Sequence, residues 1–80
     1  MADVGAWLGA VGTELGVPVN EVLPPSVQDE MLSVTGEIAH GVVRLAVPLT
    51  SYLIGVAVGQ GTSPEEALRI VTRLLPGHDE

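Results

Sequence analysis

This 80-residue chain reads as all-α: a compact bundle of four short helices over about residues 3–15, 26–44, 48–59 and 63–75. Three observations predict it. Apolar residues recur at three- and four-residue intervals, the spacing of one helix face. Serine, aspartate, proline and glycine stand where helix starts and stops need them. The connections are brief, which favours antiparallel neighbours, and the one extended linker has no second strand to pair with. A single domain over residues 1–80 is expected, frayed at 76–80.

In the first helix Asp3 is placed to cap the start and Gly16 to close the end in a left-handed conformation. Trp7, Leu8, Val11 and Leu15 share one face, and Trp7 reads as a core anchor. Gly5, Gly9 and Gly12 weaken the helix by about 1 kcal/mol each against alanine, yet they form a small-residue ridge that another helix can approach. The helix therefore needs tertiary packing. Residues 16–26, GVPVNEVLPPS, form a linker punctuated by three prolines.

Ser26 is expected to cap the second helix, with Asp29 and Glu30 near the positive end of its dipole. Val27, Met31, Val34 or Thr35, Ile38, Ala39, Val42 and Val43 mark its buried face, and Arg44 suits its negative end. Gly36 and Gly41 mark places of close contact. Pro48 opens the third helix, whose face is read as Leu49, Tyr52, Leu53, Val56 and Ala57, with Ile54 and Val58 beside them. The last helix carries the clearest local signals. Ser63, Pro64 and Glu66 make a capping box, Ala67, Leu68, Val71, Leu74 and Leu75 face inward, and Glu65 sits four residues before Arg69.

The uncharged run at residues 45–64 raises the question of a membrane span. A span needs about 20 predominantly apolar residues, and Pro48, Thr50, Ser51, Gly55, Gly59, Gln60 and Gly61 interrupt this one. It reads instead as a helix, a glycine-rich turn and the cap of the next helix. Asp3 stands where a signal peptide would carry basic residues, so none is expected. A cytoplasmic location is the expectation.

Composition narrows the function. Ten acidic residues against three arginines give a net charge of −7, which repels phosphate backbones and anionic lipid, so no nucleic-acid role is expected. With no cysteine, disulfides, thiolate metal sites and cysteine catalysis are excluded. A chain of this size hides only about 60% of its unfolded surface. A mean hydropathy of +0.43 is high for it, which implies that some apolar surface meets another chain.

One polar constellation stands out. Glu37, His40 and Arg44 at three- and four-residue spacing would share a helix face, with Gly41 between the last two. Histidine titrates near neutral pH, so a proton-transfer pair is one reading. A structural or partner-facing network is the leading one. No nucleophile pattern surrounds Ser26, Ser33, Ser51 or Ser63, and the other histidine, His78, lies in the tail. The chain is therefore expected not to be an enzyme and to hold no metal.

The order of motifs, a Trp helix ending in ELGV, then EIAHGVVR, PLTSYLIGVAVGQG and SPEEAL, resembles the DUF6457 family of small actinobacterial proteins. Ala39, His40, Gly41, Val42 and Arg44, then Pro48, Leu49 and Thr50, match that family's pattern. Leu45 departs from it, since family members often carry proline after the arginine. The resemblance implies company with the molybdenum cofactor pathway, beside or fused to a guanylyltransferase, or near molybdenum-dependent formate dehydrogenase components. It supplies no catalytic residues.

The expected function is a non-enzymatic accessory protein. Its partner would be a molybdenum cofactor guanylyltransferase or a molybdenum oxidoreductase, and any molybdenum cofactor would sit on that partner. Glu37, His40, Gly41, Arg44, Pro48, Thr50 and Tyr52 are the candidate contacts. Two alternatives stand beside it: a self-associating structural homo-oligomer, and a pterin- or nucleotide-binding domain using His40 and Arg44.

Overall fold

The computed structural model describes residues 3–77, so His78 and the end of the expected tail lie outside the described residues. The chain forms α1 (Val4–Leu15), α2 (Val19–Val22), α3 (Pro25–Gly41), α4 (Ala46–Gly59) and α5 (Pro64–Leu74). The all-α bundle holds, with one extra turn of helix, α2, inside the stretch read as a linker. No strand occurs among the described residues.

The ends of α1 follow the sequence. The Asp3 carboxylate accepts the Ala6 N–H at 2.7 Å, offsetting one of the unpaired donors of the first turn. Gly16 adopts φ 72°, its N–H reaching the Thr13 carbonyl while the Val17 N–H reaches that of Gly12 at 2.8 Å. That is a Schellman closure, and glycine adopts the left-handed geometry without strain. Gly12 is the one buried residue of α1. A Cβ there would lie 2.9 Å from the Val17 carbonyl oxygen and collide with the Val19 side chain, so this part of the ridge does admit a neighbour.

That neighbour is α2, and α1 packs on none of α3, α4 and α5. Trp7, expected to anchor the core, is instead 63% exposed. Leu15 is exposed as well, and Leu8 and Val11 are half-buried. The physical reason is the tether. The Gly16 turn and α2 hold α1 beside the bundle rather than across it.

Ser26 does not cap α3. Pro24 occupies the cap position with ψ 164°, and Pro25 is the first helical residue. A proline extends the residue before it and has its own φ set for a first turn, so the pair moves the cap from Ser26 to Pro24, two residues earlier. The Gln28 side-chain amide donates to the Leu23 carbonyl at 2.9 Å and ties this start to α2. At the other end α3 stops at Gly41, three residues short of Arg44. Val42 and Val43 are exposed in the connection, not buried on a continuing face. Hydrogen bonds from Ala46 N–H to the Val43 carbonyl and from Val47 N–H to that of Arg44, both 3.0 Å, lead directly into α4. Pro48 is thus the third residue of α4 rather than the first, still within the turn whose N–H groups have no helical partner.

The buried cluster joins Val34 and Ile38 of α3, Ile54 of α4, Ala67 and Leu68 of α5, and Leu75 just beyond it. Met31, Ala46, Val47, Val58 and Val71 pack around it, and α3, α4 and α5 touch pairwise. The orientation of α4 differs from expectation: Ile54 is buried, while Leu49, Tyr52, Leu53 and Val56 are exposed. Leu74, read as a core residue, is 80% exposed, whereas Leu75 leaves the helix in an extended conformation and turns inward.

Ser63 caps α5, its hydroxyl accepting the Glu66 N–H at 3.1 Å. The Glu66 carboxylate pairs with Arg69, so the surface ion pair forms from Glu66 and not from Glu65. Exposed as it is, this pair contributes little. The cap matters more. Ser63→Ala is expected to lower stability by about 1 kcal/mol, read from the midpoint of a urea melt with unchanged slope.

Candidate functional site

The candidate contacts gather around the α3–α4 connection. Glu37 and His40 lie on the last turns of α3, Gly41 ends it, and Arg44 stands in the connection. Pro48, Thr50 and Tyr52 follow on α4. Because α3 stops at Gly41, Arg44 does not continue the helical face that Glu37 and His40 share. No hydrogen bond or ion pair joins these three side chains among the described residues. All of the seven are exposed except Thr50, which is half-buried. His40 lies in the last turn of α3.

Close contact at the glycines is split. A Cβ on Gly41 would meet the Pro76 ring at 3.6 Å, so the end of α3 and the chain after α5 are neighbours. Gly36 has open space where its side chain would be.

Apolar surface dominates this end of the molecule. Leu45, Leu49, Tyr52 and Val56 repeat at four-, three- and four-residue intervals and are all exposed, forming one outward stripe along α4. On another side of α4, a cleft of about 400 Å³ runs between the end of α3, α4 and α5. Ile38, Val42, Leu53, Ile70 and Leu74 are among its walls, and Thr50 and Thr62 are its only polar side chains. A second cleft of about 420 Å³ lies towards α2, bounded by Val22, Leu23, Met31, Gly55 and Gly59 among others. Fifteen large apolar side chains are exposed among the described residues against seven buried apolar ones. The apolar content has gone outward as much as inward.

The cleft residues Leu53, Ile70 and Leu74 escaped sequence reading as surface. Their helical spacing says that they face something, and nothing in it says that the facing helix is absent. The high mean hydropathy was the one available signal, and it carries no position.

Fold and surface together define a small all-α domain with a thin core and extensive uncovered apolar faces. Among the described residues no helix is long and apolar enough to cross a membrane, and no group of three or more histidine or acidic residues is placed to hold a metal. The chain matches over residues 1–80 the model of the family described as Domain of unknown function (DUF6457), and it belongs to that family. No curated protein and no solved structure matches it.

Proposed function

We propose that this domain is a non-catalytic accessory module that docks on a protein partner through the outer stripe of α4. The observation that carries the reading is the stripe itself: Leu45, Leu49, Tyr52 and Val56, all exposed at helix-face spacing. Burying one such side chain is worth about 1.5–3 kcal/mol, so a partner that covers all four gains a substantial part of a binding energy from this stripe. Tyr52 supplies the large amphipathic anchor that interfaces favour. His40 and Arg44 stand near the start of the stripe in the chain and suit its polar rim.

The partner we propose is a cytoplasmic protein that matures or carries the molybdenum cofactor. It is either the guanylyltransferase or a molybdenum-dependent oxidoreductase such as formate dehydrogenase, with the cofactor on the partner. The resemblance to a family found in that company supports this identity, and the stripe supports only that a partner exists. The test is binding of the purified chain to each purified candidate. Leu49→Asp together with Tyr52→Asp is expected to weaken capture about tenfold or more, with the helical circular dichroism unchanged. Absence of wild-type binding to both candidates would remove the molybdenum reading, and binding indifferent to the double substitution would remove the stripe.

A further inference from the structure

Two unpartnered apolar surfaces on this chain complement one another. The first is α1. Val4, Trp7 and Leu15 are exposed and Val11 is half-buried, a spacing of three, four and four residues like the anchors of a helix that lies in a groove. The second is the cleft between α3, α4 and α5, walled by Ile38, Val42, Leu53, Ile70 and Leu74. Its α5 wall, Ala67 to Leu75, runs about 12 Å, and α1 is about 18 Å long, so one helix fills the cleft and overhangs it.

Charge selects this cleft over the other. The chain has only three cations, and all three adjoin this cleft in sequence: Arg44 lies between Val42 and Ala46, and Arg69 and Arg73 immediately precede Ile70 and Leu74. Arg69 is engaged with Glu66, which precedes Ala67, and Glu37 beside Ile38 is the other acidic neighbour. The α1 segment carries no basic residue and has Asp3 and Glu14 at its two ends. The second cleft is flanked in sequence by Glu21 beside Val22, Glu30 beside Met31 and Glu65 beside Pro64, and its one neighbouring cation is Arg69 beside Leu68, already engaged with Glu66. An acidic helix is repelled there and attracted at the first.

A chain does not supply its own α1 to this cleft. Val22 and Leu23 of the α2 segment line the second cleft, on the other side of α4, and α1 is held against α2. The helix must come from elsewhere. The accessible surface is 5880 Å², exceeding by about 1,300 Å² that of a typical folded monomer of this mass. That excess is of the order of the area, about 800 Å² or more per partner, that a stable dimer covers.

We propose that α1 of a second copy occupies the cleft between α3, α4 and α5, and that two copies exchange their α1 helices reciprocally. Each chain then gives one helix and receives one, which closes the assembly as a two-fold dimer without an open end. The α4 stripe is a different surface and stays free, so this inference does not depend on the partner proposed for it.

Sedimentation of the full chain over a wide concentration range tests the exchange. Wild type is expected to be a dimer. Trp7→Asp and Leu74→Asp each change an exposed side chain, so both should keep their circular dichroism while dimerising about tenfold or more weakly. A mixture of the two variants decides the geometry. The Leu74→Asp chain keeps a sound α1 and the Trp7→Asp chain a sound cleft, so the mixture forms one intact contact and dimerises more tightly than either variant alone. A wild type that stays monomeric overturns the proposal. So does a dimer indifferent to Leu74→Asp, or a mixture that fails to recover.

Discussion

Leu68→Ala is expected to leave the chain largely unfolded at room temperature or close to it. Leu68 is 2% exposed, the most deeply buried of the core residues, and it sits in the one cluster that joins α3, α4 and α5. Truncating a buried leucine costs about 2–5 kcal/mol through lost transfer energy and the cavity left behind. A domain of this length has about 4–12 kcal/mol in total. The low end of that range is apt here, because only seven apolar side chains are buried among the described residues. A urea melt checks it against Leu32→Ala, an exposed position on α3 that should shift the midpoint by about 0.5 kcal/mol or less. Equal effects at the two positions would mean that the core lies elsewhere.

Gly12→Ala is expected to release α1. Backbone cannot yield as a flexible side-chain end can, and the new Cβ would press on the Val17 carbonyl oxygen at 2.9 Å as well as on Val19. The cost of such overpacking is about 1–3 kcal/mol, and it falls on the contact between α1 and α2, the only helix pairing α1 makes. A free helix of 12 residues that still holds Gly5 and Gly9 is not stable in water. Its amide protons should then lose protection while those of α3 to α5 keep theirs. Gly9→Ala is the contrast: nothing lies within 4 Å of its added Cβ. Alanine should therefore strengthen α1 by roughly 0.5–1 kcal/mol. Hydrogen exchange on both variants reads the difference, and loss of protection in both would show that α1 is not held through Gly12.

Local signals were read from the residues wherever the chemistry is local. The Asp3 and Ser63 caps, the Gly16 closure and the end of α4 at Gly59 each depend on groups within a few residues. Those are interactions that a linear reading contains. The departures have a common origin. Pro24 and Pro25 act as a pair, which moved the α3 start off Ser26, and the stop at Gly41 took Arg44 out of the face of Glu37 and His40. At the candidate site the residue types were visible, but their grouping was not.

The α4 helix shows most clearly why periodicity runs out. It is apolar on nearly every side, so no side stands out as the buried one. Turning it in place exchanges leucine and valine for isoleucine and alanine at little difference in transfer energy. Packing against Ile38 and Leu68 chose Ile54 for the core and left Leu49 and Tyr52 outside.

By itself, then, the sequence determined that the chain is helical, where α1 and α5 begin and end, and that its apolar content is high for 80 residues. Those are matters of backbone propensity, capping and composition. Only the tertiary structure decided which apolar residues the excess is made of. Burial is a property of what lies opposite a side chain, and α1, held by the Gly16 turn and α2, lies opposite none of the bundle helices. For that reason Trp7, Leu49, Tyr52 and Leu74 are surface.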